Sequence, residues 1–339
     1  MRPTTTDDVL SLLDAGVLSA ALGAAVELGL FWLLEDEPRD VDRVARELGV
    51  LPGNRCRYWL ELLRESNLLE RNAGLYRPSQ AARVAILESY HRESWALLAE
   101  ESRRRLGALH DLAQGLRAAA VGAHRDYVVA MAGDADRARR FTRMLYQVHG
   151  PWAEELARHL DMEGVSRLMD LGGGSGVVSM ALARRWPSLS AVVVDLDGVC
   201  RAGNELAAEQ ALAGRVSYHP ADFLRDELPS GFDAVVECDV NVYGRELFRK
   251  VYRALIPGGR FVIVDLFAPG PGEPPPTRTA WALEHSLADP GFRYPTADEV
   301  VELLRETGFE LRVAGAPLPL GAGSSGAAGG WRLIEAVAV

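Results

Sequence analysis

Thiols are scarce in this sequence. Cys56, Cys200 and Cys238 are the only three cysteines in 339 residues. They are far apart, odd in number, and form no C-x-x-C pair, which argues against a disulfide framework or a thiolate zinc site. Reduced thiols in a cytoplasmic protein are the plain expectation. Long apolar runs are missing too. The richest stretch, Leu18–Leu34, is interrupted by Glu27, and it is too short and too helically patterned for a membrane span. It reads as a buried helix. The opening MRPTTTDDVL lacks a basic segment followed by an apolar one, so no secretory signal is expected. Positive charge is in deficit: the formal net charge is -10 and the pI about 5.3. An acidic surface repels phosphate backbones, so nucleic acid is a disfavoured partner.

What is present describes a globular protein. Hydrophobic residues make up 48% and charged residues 25%, an ordinary balance, and the length suits two domains. From about 7 to 34, apolar residues recur at helical spacing (Val9, Leu12, Leu13, Val17, Leu18, Leu22, Val26) behind an acidic start at Asp7 and Asp8. The apolar content exceeds one face, so both sides of this helix are expected to be covered, as by a second subunit. Asp40–Val50 predicts a short helix ending at Gly49, and Pro52 opens another. LLERNAGLYRPS then places a turn at Asn72-Ala73-Gly74 between two extended runs. Helix, helix and hairpin is the winged-helix pattern. Its second helix mixes Arg55, Arg57 and Arg64 with Glu61 and Glu65, which suits a solvated or interface face better than a DNA reader. Residues from about 90 to 160 read as helical throughout, with a kink or break at Gly150-Pro151.

From about 166 the pattern changes to short apolar strands alternating with helices. Strands are expected at Arg167–Leu171, Ala191–Asp195, Val216–His219, Phe232–Cys238, Arg260–Leu266, Glu310–Ala316 and Trp331–Val339. Helices fit Val177–Trp186, Gly198–Ala213, Arg245–Leu255 and Ala297–Thr307. That alternation predicts an open, mostly parallel α/β sheet. The last two strands are joined by the low-complexity loop GAGSSGAAGG with no helix, so the final strand should run antiparallel to its neighbours.

The central motif is RLMDLGGGSGVVSMALARRWP. A strand ends at Asp170, Gly172–Gly176 turn, and an amphipathic helix follows. Glycines let the backbone bend sharply and approach a ligand, and the turn lies at the carboxyl end of a strand, where open sheets bind ligands. The dinucleotide spacing G-x-G-x-x-G fails, because counting from Gly172 puts Val177 at the sixth position. D-x-G-x-G-x-G does match, and it resembles motif I of class I S-adenosylmethionine (AdoMet)-dependent methyltransferases. The next strand, AVVVD, ends at Asp195, where an acid can accept from ribose hydroxyls. HPADFL follows the third strand, with Asp222 placed for an adenine amino group and Phe223 for the ring. ALIPGGRFVIVD feeds the fifth strand through a Pro-Gly-Gly turn.

In this order the motifs resemble the plant-type small-molecule O-methyltransferases and their bacterial natural-product relatives, over nearly the whole chain. The resemblance implies an α/β fold: a Rossmann-like class I methyltransferase domain over 161–339, behind a winged-helix-like dimerisation domain over 1–105 and a helical linker over 106–160. It implies AdoMet as cofactor, held by Asp170, Gly172, Gly174, Gly176, Asp195, Leu196, Asp222, Phe223 and Glu237. It also implies a small-molecule acceptor and a homodimer through the N-terminal helices; the acidic charge, the short apolar runs and the lack of ligand-like spacing around His285 argue separately against nucleic acid, membrane and metal.

The family's His-Asp-Trp-like segment after the fourth strand, whose His serves as general base, is absent. No His occurs between His219 and His285. Candidate catalytic residues are therefore His285, Tyr243 and Asp239. Met144, His149, Trp152, Asn241 and Trp281 are candidate pocket residues. Each has a plain structural alternative: a hydrogen-bonded His, a core aromatic or ordinary packing. O-methylation is favoured. C-methylation, and AdoMet-dependent chemistry without methyl transfer, stay open because the base is missing; a winged-helix regulator is the remaining alternative.

Overall fold

The computed structural model describes residues 3–117, 131, 133–269, 279–320 and 330–339. The chain forms two compact units, Met1–Asp111 and Leu112–Val339.

In the first unit, Thr5 caps a helix over Thr6–Leu28 through a reciprocal capping box with Asp8. The helix stops at Gly29, whose φ of 80° favours glycine, and a second helix, Leu30–Asp36, follows. Arg92 supplies the basic group that the last turn lacks: its guanidinium donates to the Leu28 carbonyl at 3.1 Å. The expected single helix from 7 to 34 is thus two. Within the stretch expected to be buried, Leu18–Leu34, the side chains of Ala25, Val26, Leu30, Phe31 and Leu34 are buried, while Leu28 is 37% exposed; ahead of that stretch Leu13 is 77% and Val17 62% exposed. Asp40 caps Val41–Leu48, Asn54–Glu65 follows, and strands β1 (Leu69–Asn72) and β2 (Leu75–Pro78) pair antiparallel around Ala73-Gly74. Both turn residues have positive φ, as a type I′ hairpin requires. Phe31, Leu34, Leu60, Leu63 and Tyr76 fill the core between these elements, and the helix Arg92–Ala108 completes the unit.

In the second unit a short helix, Leu112–Gly115, comes before the long helix Ala135–His159, which Asp134 caps. Pro151 lies inside it without ending it, so of the expected kink or break the break does not occur. The turn around the proline is held from outside, because Trp152, Ala153, Leu156 and Ala157 are buried in the sheet's core. Between 118 and 132, the helical expectation falls outside the described residues except at Met131. So does most of the GAGSSGAAGG loop, over 321–329.

Among the described residues seven strands then form one sheet: β3 (Arg167–Leu171), β4 (Ser190–Asp195), β5 (Val216–Pro220), β6 (Phe232–Cys238), β7 (Leu255–Leu266), β8 (Phe309–Pro317) and β9 (Trp331–Ala338), in the order β5-β4-β3-β6-β7-β9-β8. The pairs from β5 to β7 are parallel, and β9 is antiparallel to both β7 and β8, as the helix-free final connection predicts. Period-2 alternation sends Leu168, Val193 and Val236 to one core and Met169, Val194 and Val235 to the other. The chain reverses strand order between β3 and β6, which opens a crevice at their carboxyl ends.

Candidate functional site

The glycine turn fills the end of β3. Gly172, Gly174 and Gly176 have φ of 67°, 56° and 71°, a region costly for any residue with a Cβ. They differ in what surrounds them. A Cβ on Gly172 would lie 2.9 Å from Val240, and one on Gly173 would lie 2.4 Å from the Asp170 carboxyl carbon. A Cβ on Gly174 would meet nothing within 4 Å among the described residues. The turn is therefore packed from below and open above Gly174.

Three strands anchor this turn. From β3, the buried Asp170 lies under Gly173 and accepts from the Ser179 hydroxyl at 2.7 Å. Its Oδ1 has no partner among the described residues. Burial raises its pKa to about 6, against the lowering effect of Ser179. From β4, Asp195 accepts from the Gly174 amide at 2.9 Å and the Leu196 amide at 2.7 Å. Burial lifts it also to about 6, opposed by those two N–H groups. From β5, the Tyr218 hydroxyl donates to the Ser175 carbonyl at 2.8 Å.

Flanking elements close the crevice. Leu196 packs with Met131, Ala138, Phe141 and Val199. Gly198 lets this segment approach, since a Cβ there would lie 3.1 Å from Ala138. Arg139 and Arg143 tie the helix Ala135–His159 to the helix Asp197–Glu209 through Glu205 and Glu209. On the other side, Phe223 reaches within 3.4 Å of the Gly172 Cβ position. Asp222 caps its own turn, accepting from the Leu224 amide at 3.1 Å. That turn sits over Lys250, the chain's one lysine, which is buried and donates to the carbonyls of Phe223, Leu224 and Asp226.

Past β6 the backbone is strained, with Asp239 and Asn241 at φ of 59° and 58°. Asp265, at the end of β7, holds this segment. It accepts from the Asn241 amide at 2.9 Å and the Tyr243 hydroxyl at 2.6 Å. Burial and then the charge of Asp239 raise its pKa to about 7. A cleft of about 570 Å³ opens beside Asn241 and Tyr243, walled by Arg245, Arg293, Pro295 and Glu299.

Comparison with known proteins agrees with this geometry. Residues 108–310 match the family model described as the O-methyltransferase domain. The N,N-dimethyltransferase OxyT of Streptomyces rimosus is 30% identical, over 90% of this chain and 91% of that protein. The 3-hydroxy-5-methyl-1-naphthoate 3-O-methyltransferase of Streptomyces sahachiroi is 29% identical, over 85% and 84%. The solved structure of PigF with SAH superposes with a TM-score of 0.82 at 23% identity, covering 98% of this chain and all of that one. This chain belongs to the O-methyltransferase family. It is an AdoMet-dependent methyltransferase.

The crevice of this methyltransferase fits that cofactor. A buried carboxylate oxygen is orphaned beneath the turn, a second carboxylate ends the next strand, and the space above Gly174 is clear. The structure brings Asp170, Gly172, Gly174, Gly176, Asp195 and Leu196 together, with Phe223 alongside. Glu237 is a correction. Alternation along β6 turns it to the sheet face opposite Asp170, where it is fully buried beside Asp265. Neither of its oxygens makes a well-formed hydrogen bond. Burial and the charge of Asp265 hold its pKa well above the usual carboxylate range, with the Val242 amide acting in the opposite direction. We assign it no cofactor contact.

The acceptor-side candidates divide. Trp152 is a core residue, its ring 4.9 Å from that of Trp331 and 6.4 Å from that of His149, and Met144 is buried on the same helix. His285 stacks on Trp281 at 3.5 Å, and Trp281 also stacks with Tyr294 at 5.7 Å. The His285 Nδ1 lies 2.9 Å from the Trp281 carbonyl. A carbonyl can only accept, so Nδ1 carries the proton and neutral His285 keeps its lone pair on Nε2.

Asp265, Tyr218, Lys250 and Ser179 escape the motif reading. Asp265 carried a usable signal: like Asp170 and Asp195, it closes an apolar strand.

Proposed function

We propose that this methyltransferase transfers a methyl group to an oxygen of a small, natural-product-like acceptor in the cytoplasm, working as a homodimer. The single observation that carries the reading is the crevice above Gly174, with the orphaned Asp170 oxygen and the Asp195 carboxylate on its floor. When bound, AdoMet supplies an electrophilic methyl on a cationic sulfur. Asp170 attracts the cationic amino-acid end, Asp195 accepts from the ribose hydroxyls, and Asp222 and Phe223 hold the adenine. Positioning of the acceptor supplies much of the rate, with Met144, His149, Asn241 and Trp281 as its proposed neighbours. His285 Nε2 is the proposed proton acceptor, and Tyr243 with Asp239 orients the acceptor. These roles would be tested with labelled AdoMet and a panel of phenols, carboxylic acids, enols and amines. Label in phenols or enols at oxygen is the expected result. Label only at nitrogen or carbon would replace O-transfer, and turnover without S-adenosylhomocysteine would overturn methylation itself.

For the rest of the chain, we propose residues 1–105 as a winged-helix-like dimerisation domain, 106–160 as a helical linker lending residues to the acceptor pocket, and 161–339 as the cofactor domain. The helix Thr6–Leu28 is long and apolar enough to cross a membrane, with a mean hydropathy of 1.9 over its best window. The ionisable residues Asp14 and Glu27 within it, and the capped, partly buried C-terminal end, favour a protein partner over lipid.

A further inference from the structure

We infer that Tyr218 is a positioning residue for AdoMet: it shapes the glycine turn before the cofactor arrives and so sets cofactor affinity without touching the cofactor. The inference rests on the crevice being the AdoMet site, as proposed above.

Two glycines from different elements make room for this one ring. A Cβ on Gly176 would lie 2.2 Å from the Tyr218 hydroxyl, and one on Gly203 would lie 2.1 Å from the ring carbon Cε1. Gly203 sits mid-helix in Asp197–Glu209, where glycine is less stable than alanine. The ring it admits accounts for a glycine at this position. The hydroxyl then donates to the Ser175 carbonyl. With that carbonyl fixed toward β5 and the Gly176 amide bound to the Gly173 carbonyl at 2.8 Å, the Ser175-Gly176 peptide has little freedom left. The other two anchors, Asp170 and Asp195, are carboxylates assigned to cofactor contacts. Tyr218 is the anchor that can be altered without deleting such a contact. A preorganised turn binds without an ordering cost, which a loosened one must meet on binding.

Tyr218→Phe keeps the ring and removes the hydrogen bond. By titration calorimetry, the AdoMet Kd is expected to rise about fivefold, the effect of one neutral hydrogen bond, with kcat at saturating AdoMet within about twofold of wild type. Hydrogen exchange of the Gly174–Val177 amides should be faster in the ligand-free variant and return to the wild-type rate at saturation. Gly203→Ala improves helix propensity yet should weaken AdoMet binding by displacing the ring. A residue important only for folding would lower Tm equally with and without AdoMet and leave Kd unchanged. Unchanged Kd in both variants, with unchanged exchange in the ligand-free state, overturns the inference. Failure of the wild type to bind AdoMet would instead remove the site assignment, and with it the inferred role.

Discussion

At the residue scale, the glycines of the turn are not equivalent. Gly173 is closed by the Asp170 carboxyl group, whereas Gly174 faces open space. Gly173→Ala should therefore act on the fold, forcing the Asp170 carboxylate aside and costing about 1–3 kcal/mol as overpacking does. Gly174→Val should act on the ligand. Its fold cost is confined to the left-handed backbone, about 1–2 kcal/mol, while the side chain fills the space that the cofactor needs. Thermal melts with parallel AdoMet titrations check both: a large Tm loss for Gly173→Ala, and a folded Gly174→Val without measurable AdoMet affinity. A Gly174→Val protein that binds normally would place the cofactor elsewhere. The same scale shows what a linear reading misses. The role of Tyr218 depends on Gly176 and Gly203 lying against one ring, and Asp265 matters because a loop 24 residues earlier folds back onto it. Neither relation is visible in local spacing.

At the element scale, most of the architecture was legible. β3 and β6 begin and end where their apolar runs do, and the antiparallel β9 follows from its helix-free connection. The misses have physical causes. β7 begins at Leu255 rather than Arg260, because Phe232 pairs with Leu255 across a register shift. Pro151 does not interrupt its helix, because buried neighbours hold it. The first helix, in contrast, follows its periodicity, and the apolar side expected to be covered by a second subunit is exposed in the single chain at Val9, Leu12, Leu13 and Val17. Contiguous apolar surface of this kind marks an interface. The double variant Leu13→Asp, Val17→Asp should convert a dimer to a monomer in light scattering while leaving Tm of the C-terminal unit unchanged. An oligomeric state unmoved by both charges, or binding of the wild type to neutral vesicles, would contradict the assignment of this face to a second subunit.

At the scale of the whole molecule, the buried acids couple stability and binding in opposite directions. Asp170 and Asp195 are raised to about 6 and Asp265 to about 7, chiefly by burial. A carboxyl group with a raised folded-state pKa contributes stability at pH below its unfolded value, and loses that contribution as pH climbs through the folded one. Surface acids such as Asp8, Glu61 and Glu299, held near 2 by hydrogen bonds, titrate below this window. The ligand-free enzyme should thus melt at lower temperature at pH 8 than at pH 5, while affinity for the cationic AdoMet increases over the same range as Asp170 and Asp195 ionise. Melts and titrations at pH 5, 6.5 and 8 would show it, and parallel trends would contradict it. The proposed cofactor half of the site was legible in D-x-G-x-G-x-G and the strand-ending acids. The proposed acceptor half was less legible, because the family's His is absent and the residues proposed in its place come from separate segments. The most direct test of the whole account is titration calorimetry of S-adenosylhomocysteine into wild type, Asp195→Ala and His285→Ala. The crevice assignment predicts at least about a tenfold loss of affinity for Asp195→Ala, the scale of a hydrogen bond to a charged group, and a change within about twofold for His285→Ala. Equal losses in the two variants, or none in Asp195→Ala, would contradict it.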